Sequence, residues 1–217
     1  MFLIAMMLSP ALAQETPEIE VVDVAEREPA EPAMDIEDGH IEYGFGFMVG
    51  QSDFAGSAWS PIDAQGNAQI GAFSRHPFEE VTVSGFHIDQ RLVWNQLRVG
   101  IGYQRGFPSY SFQEATRKDT SVQYFAEHQL RLAIGAIAPS TPVAPYMDLA
   151  GDVTELRSVI AVGNKQERYR STDFGLALVG GVRAQTGEHT FLAIQGEYGL
   201  TGAESWGVQA TVGFNVF

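Results

Sequence analysis

From Ile41 onward the chain alternates apolar residues with polar or glycine residues at a period of two, in eight separate runs. Successive side chains of a strand point to opposite faces, so each run reads as a two-faced β-strand. In the first, Tyr43, Phe45, Phe47 and Val49 share one face while Glu42, Gly44, Gly46 and Gly50 take the other. Residues 96–107 repeat this, with Leu97, Val99, Ile101 and Tyr103 opposite Arg98, Gly100, Gly102 and Gln104. The same alternation runs through 80–93, 121–137, 143–156, 170–184, 190–201 and 205–217.

The connections sort by length. Prolines 61, 77, 108, 139 and 142 fall between runs, as expected of a residue that lacks a ladder donor. Every second connection is short (94–95, 139–142 and 185–189), whereas 52–79, 108–120 and 157–169 are long and 202–204 is brief. The simplest closure is all-β: an eight-stranded antiparallel up-and-down barrel with its short turns and both strand termini at one rim.

Alternation alone leaves open which face is the lumen. Three features favour lipid on the apolar side. The polar face mixes signs, with Arg91, Arg98, Arg131 and Arg183 among Asp89, Glu127, Asp148, Asp152, Asp173 and Glu197, so charges packed in a lumen have partners. Glycines 44, 46, 100, 102, 135, 175, 181, 207 and 213 lie on that same face, which suits an eight-strand lumen just wide enough for side chains. Aromatics near the ends of the apolar face, including Tyr43, Tyr103, Phe107, Tyr124, Tyr198, Trp206 and Phe214, match the two interfacial girdles, and the runs exceed the ~9–11 residues needed to cross a bilayer. The expectation is a transmembrane β-barrel over residues 41–217.

The front of the chain differs. Phe2 to Leu8 is apolar and Ser9-Pro10-Ala11-Leu12-Ala13 ends in a small-x-small pattern, so residues 1–13 are expected to be a signal peptide. Residues 14–40 carry three prolines and ten acids against one base, and too little apolar surface to offset ordering, so a disordered acidic linker is expected there. Of the overall charge of −14, residues 41–217 carry only −5. That balance opposes nucleic-acid binding, which needs a basic face. The absence of cysteine excludes disulfides, thiolate catalysis and Cys-ligated metals.

Several stretches carry a resemblance: Tyr43-Gly44-Phe45-Gly46-Phe47, Leu97 to Tyr103, Pro145 to Gly151, Gly180-Gly181-Val182-Arg183 and the terminal Phe217. Through them the chain resembles the small outer-membrane barrels of Gram-negative bacteria, the OmpA-type transmembrane domain and the opacity-type surface antigens. The resemblance implies an outer-membrane location, lipid and lipopolysaccharide as surroundings, and the barrel-assembly machinery as a partner in biogenesis. It departs at the end, where Phe217 is in phase with Asn215 and Gly213 rather than with Val216, Phe214 and Val212.

Chemistry-bearing residues are few. The histidines at 40, 76, 87, 128 and 189 show no metal-ligand spacing, so neither metal nor other cofactor is expected. His128 points to the apolar face near the outer rim, which admits a lipid-modifying enzyme, an acyl-chain hydrolase or transferase acting on lipid A, if Ser and an acid join it there. Interfacial packing of the ring is the simpler role. Arg157, Lys165, Arg168 and Arg170 stand with Glu167 in an expected outer loop and suit lipopolysaccharide phosphates. Arg91, Arg98, Glu127, Arg131, Asp148, Asp152, Asp173, Arg183 and Glu197 are expected to pair in a filled or very narrow lumen, Glu127 with Arg131 among them. The favoured role is non-enzymatic, structural or at the surface; a soluble lipocalin-like carrier with an apolar lumen is the inverted alternative.

Overall fold

A computed structural model describes residues 39–54, 58–112, 118–138, 142–202 and 204–216. The expected signal peptide, nearly all of the acidic linker, and Phe217 lie outside the described residues. The strands are β1 (His40–Asp53), β2 (Ser60–Ile62), β3 (Phe78–Trp94), β4 (Leu97–Phe112), β5 (Thr120–Ile137), β6 (Val143–Val162), β7 (Lys165–Gln185), β8 (Thr190–Thr201) and β9 (Glu204–Val216). Antiparallel pairing runs β7-β6-β5-β4-β3-β1-β9-β8, and β8 pairs back to β7, so eight strands close a ring. The short β2 lies outside the ring, on the edge of β7.

The register fixes the faces. Phe45 lies between Ile88 and Val212, and Leu149 between Ile134 and Leu178, so apolar residues meet apolar residues across the ladders. These sets point outward: Phe47 is 69% exposed and Phe174 73%, whereas Glu42, Arg98 and Asp148 are almost fully buried. The inverted alternative with an apolar lumen is thereby overturned. Aromatics ring both ends of the outer wall. Tyr43 stacks on Phe214 at 5.2 Å beside the inner rim, and Phe107, Tyr124 and Trp206 stand at the outer end.

Several boundaries depart from the sequence reading, and three of them bear on the site. β1 begins one residue early, at His40. β4 continues through Pro108 to Phe112 because its pairing with β5 ends at Gly106. Beyond that point β4 has only β3 beside it, an edge position where a missing N–H breaks no ladder. The expected loop 157–169 is instead a hairpin, with β6 and β7 joined at Gly163-Asn164 and Gly163 at φ +56°. Its residues 159–162 are apolar on both faces, which hides the period of two. Leu156, Ile160 and Tyr169 face inward and are buried under an apolar cap.

That cap sits at the outer end of the barrel, against β1, β3, β6 and β7. Phe54, Trp59 and Phe78 pack with Val81, Val83 and the inward residues of the β6–β7 hairpin. A smaller apolar cluster of Val93, Ile137, Ala144 and Tyr146 packs toward the opposite rim.

Candidate functional site: a paired lumen and a basic outer groove

All nine residues expected to line the lumen sit on inward phases, but they pair in their own way. Near the inner rim, Arg183 on β7 meets Glu42 on β1 at 2.6 Å. Arg98 on β4 reaches Asp148 on β6 at 3.1 Å while its guanidinium lies 3.7 Å above the Tyr146 ring. At mid-height the Tyr146 hydroxyl donates to Gln195, the Gln195 amide to Gln209, and the Gln209 amide to Gln104, at 2.6, 2.7 and 2.8 Å. Arg91 pairs with Asp89 at 3.1 Å. Higher still, Arg131 bridges Asp152 at 2.7 Å and Glu197 at 2.6 Å.

The expected Glu127–Arg131 pair is therefore replaced. Arg131 is shared by two other carboxylates, and Glu127 Oε2 is buried with no hydrogen-bond partner. Glu127 lines a chamber of about 40 Å³ together with Asp152, Asp173 and Glu197. Sequence reading left out Glu42 as a charge partner and the three glutamines. Their signal was their phase alone, since alternation places Glu42, Gln104, Gln195 and Gln209 on the same face as the arginines.

The four expected phosphate contacts divide. Arg157, Arg168 and Arg170 line an outer groove of about 370 Å³ with Tyr124, Glu155 and residues 62–66. Its back wall is β6 and β7, where Arg157 is the register partner of Arg170. Lys165 stands at the start of β7, opposite Val162, and is not among the groove's lining residues. Glu155 pairs with both Arg157 and Arg170, holding the two guanidiniums side by side. Three guanidiniums against two carboxylates, Glu155 and Asp63, leave the groove with a net positive charge. It stands above the outward apolar pair Val153 and Phe174, which lie one row below Glu155 and Thr172.

His128 is on the outer wall, as its phase requires. Its Nδ1 is 2.7 Å from the Tyr103 hydroxyl, and its register neighbours are Arg105 and Glu155. Glu155 is held by the arginines, and the next residue in that row is Thr172, so the His–Ser–acid arrangement is not what the wall presents. Among the described residues, no group of three His, Asp or Glu side chains is placed to hold a metal ion.

No protein-family model matches the chain, and no curated protein matches it. Solved structures similar to it include three outer-membrane proteins. Neisserial surface protein A (NspA) is 15% identical over 82% of this chain and 96% of its own, with a TM-score of 0.47. Ail, the attachment invasion locus protein of Yersinia pestis, solved with the heparin analogue sucrose octasulfate, is 11% identical over 82% and 99%, with a TM-score of 0.47. The N-terminal β-barrel domain of Pseudomonas aeruginosa OprF is 14% identical over 83% and 98%, with a TM-score of 0.44.

Proposed function

We propose that this chain is a non-enzymatic barrel of the Gram-negative outer membrane with a structural or surface role, and that its basic groove contacts lipopolysaccharide phosphates. The observation that carries the first part is the wall: outward apolar side chains on all eight ring strands enclose a buried, charge-paired lumen. In water such a surface far exceeds the few hundred Å² of contiguous apolar patch that a soluble monomer tolerates. Against lipid it is the expected exterior.

The groove supports the second part. Arginine pairs with phosphate oxygens through two parallel hydrogen bonds, and three arginines meet here at the level where the apolar wall ends. A phosphorylated headgroup whose acyl chains lie along Val153 and Phe174 brings its phosphates to that level.

Two measurements test the parts separately. Envelope fractionation with unboiled and boiled gel samples should place the protein in the outer membrane and give two mobilities; release as a soluble species overturns the membrane reading. Changing Arg157, Arg168 and Arg170 together to Gln should weaken lipopolysaccharide binding by tenfold or more without altering the gel shift. Unchanged binding removes the groove from the proposal and leaves the barrel standing.

A further inference from the structure

The outer cap contains an unusual histidine. His76 is 2% exposed, and neither Nδ1 nor Nε2 has a hydrogen-bond partner. Aromatic rings surround it, with centroids at 4.7 Å for Trp59, 4.9 Å for Phe78, 5.6 Å for Phe54 and 6.2 Å for Phe125. Trp59 in turn stacks on Tyr169 at 5.4 Å, and its own Nε1 is buried without a partner. Residues 58–77 therefore dock on the barrel by their apolar side chains, around a titratable ring buried among aromatics. Backbone ties are few and lie at the periphery: β2 on β7, Ala72 N–H to Glu167, and Phe73 N–H to the Tyr169 hydroxyl.

We propose that residues 58–77 form an acid-released lid: protonation of His76 undocks them from the barrel mouth while the eight-stranded wall stays closed. An imidazolium brings two N–H donors and a full charge into a site whose burial outweighs the support that the Phe78 backbone and Asp53 give it. An uncompensated buried charge is among the most costly groups a fold can hold. Undocking restores its water.

The Phe78 backbone of β3 and the Asp53 charge of β1 favour the charged form of His76, but less than burial opposes it. From β3, Glu79 and Glu80 point to solvent, as does Arg75 beside the histidine. β5 presents Phe125, and its acid Glu127 faces the lumen chamber below. Tyr110 of β4 is held above its ordinary value by burial, and Tyr169 of β7 is pushed up to about 12 by burial and by Glu167, so both stay neutral through the acid range. Burial accordingly holds the docked His76 at about 4, against an ordinary value of 6.5.

The sign follows from proton linkage. The undocked lid binds the proton more tightly, so docking is unaffected above about pH 7 and weakens as pH falls from 6.5 toward 4. Relative to neutral pH, the docking constant drops roughly 20-fold at pH 5 and roughly 100-fold at pH 4. Release uncovers the aromatic surface of Phe54, Phe78, Phe125 and Tyr169 on which Trp59 and His76 pack.

Hydrogen–deuterium exchange on the full chain in detergent tests this, with rates corrected for the pH dependence of chemical exchange. Protection over residues 58–77 should fall roughly 20-fold between pH 7 and pH 5 while the ring strands keep theirs, and in His76→Phe and His76→Leu it should change less than twofold. Constant protection in the unmodified protein overturns the proposal. So does an equal fall in both variants, which assigns the response to another group such as the Glu167 tie. Loss of strand protection along with the lid overturns it too, since the wall is then what responds.

Discussion

At the scale of single residues, the narrowness of the lumen decides what is allowed. A Cβ at Gly46 would run into the Ala210 carbonyl and the His87 ring, whereas one at the outward Gly151 would meet nothing closer than Leu176 Cδ2 at 3.9 Å. Gly46→Ala should therefore cost about 1–3 kcal/mol of unfolding free energy in urea, and Gly151→Ala should be near neutral. Arg131 is the more demanding case, because it neutralises Asp152 and Glu197 together. Arg131→Leu leaves both carboxylates buried and should cost about 3–5 kcal/mol by the same measurement. The half-exposed Arg157 pairs with Glu155 in water, so Arg157→Leu should cost under about 1 kcal/mol. The phase of Gly46, Arg131, Asp152 and Glu197 was legible in the sequence, whereas Arg157 fell in an expected loop. Their partners were not, because Arg131 and Glu197 are 66 positions apart and meet only after the ring closes.

At the scale of elements, the β6–β7 hairpin is where pattern reading failed, and where the cap is anchored. An alternating strand announces itself only when one face is polar. Here Leu156 and Ile160 pack inward under the cap while Val159, on the other face, lines the groove beneath residues 62–66. Truncating Tyr169, whose ring stacks on Trp59, should weaken lid docking by about 3 kcal/mol. Tyr169→Ala should then be cut by trypsin after the exposed Arg75 at least tenfold faster at neutral pH, with the boiled and unboiled bands still distinct. An unchanged cleavage rate means that the stack contributes little to holding the lid. β2 escaped sequence reading for a simpler reason: three residues around Pro61 carry no period.

At the scale of the whole molecule, the medium around the barrel is the question that a single substitution answers most directly. Leu149 faces outward between Ile134 and Leu178, in the middle of the apolar wall. In a bilayer Leu149→Lys should cost about 2–4 kcal/mol of folding free energy, measured by urea unfolding in lipid vesicles. On a solvated wall the same change would fall within about 0.5 kcal/mol, which is the usual range for surface substitutions.

The sequence by itself determined the strand number, the rim that carries the short turns and the two chemically distinct faces, because those follow from local periodicity and from the residues that interrupt it. Side-chain phase is a property of each strand alone, so Arg98, Arg131 and Asp148 could be assigned to one face before any strand had a neighbour. Tertiary structure decided which face is the lumen, that Arg131 serves Asp152 and Glu197 rather than Glu127, and that the arginines at 157, 168 and 170 share a groove. It alone placed His76 among four aromatic rings drawn from separate stretches of chain. Burial, pairing and the cost of a charge depend on what lies across space, and only closure of the ring sets those distances.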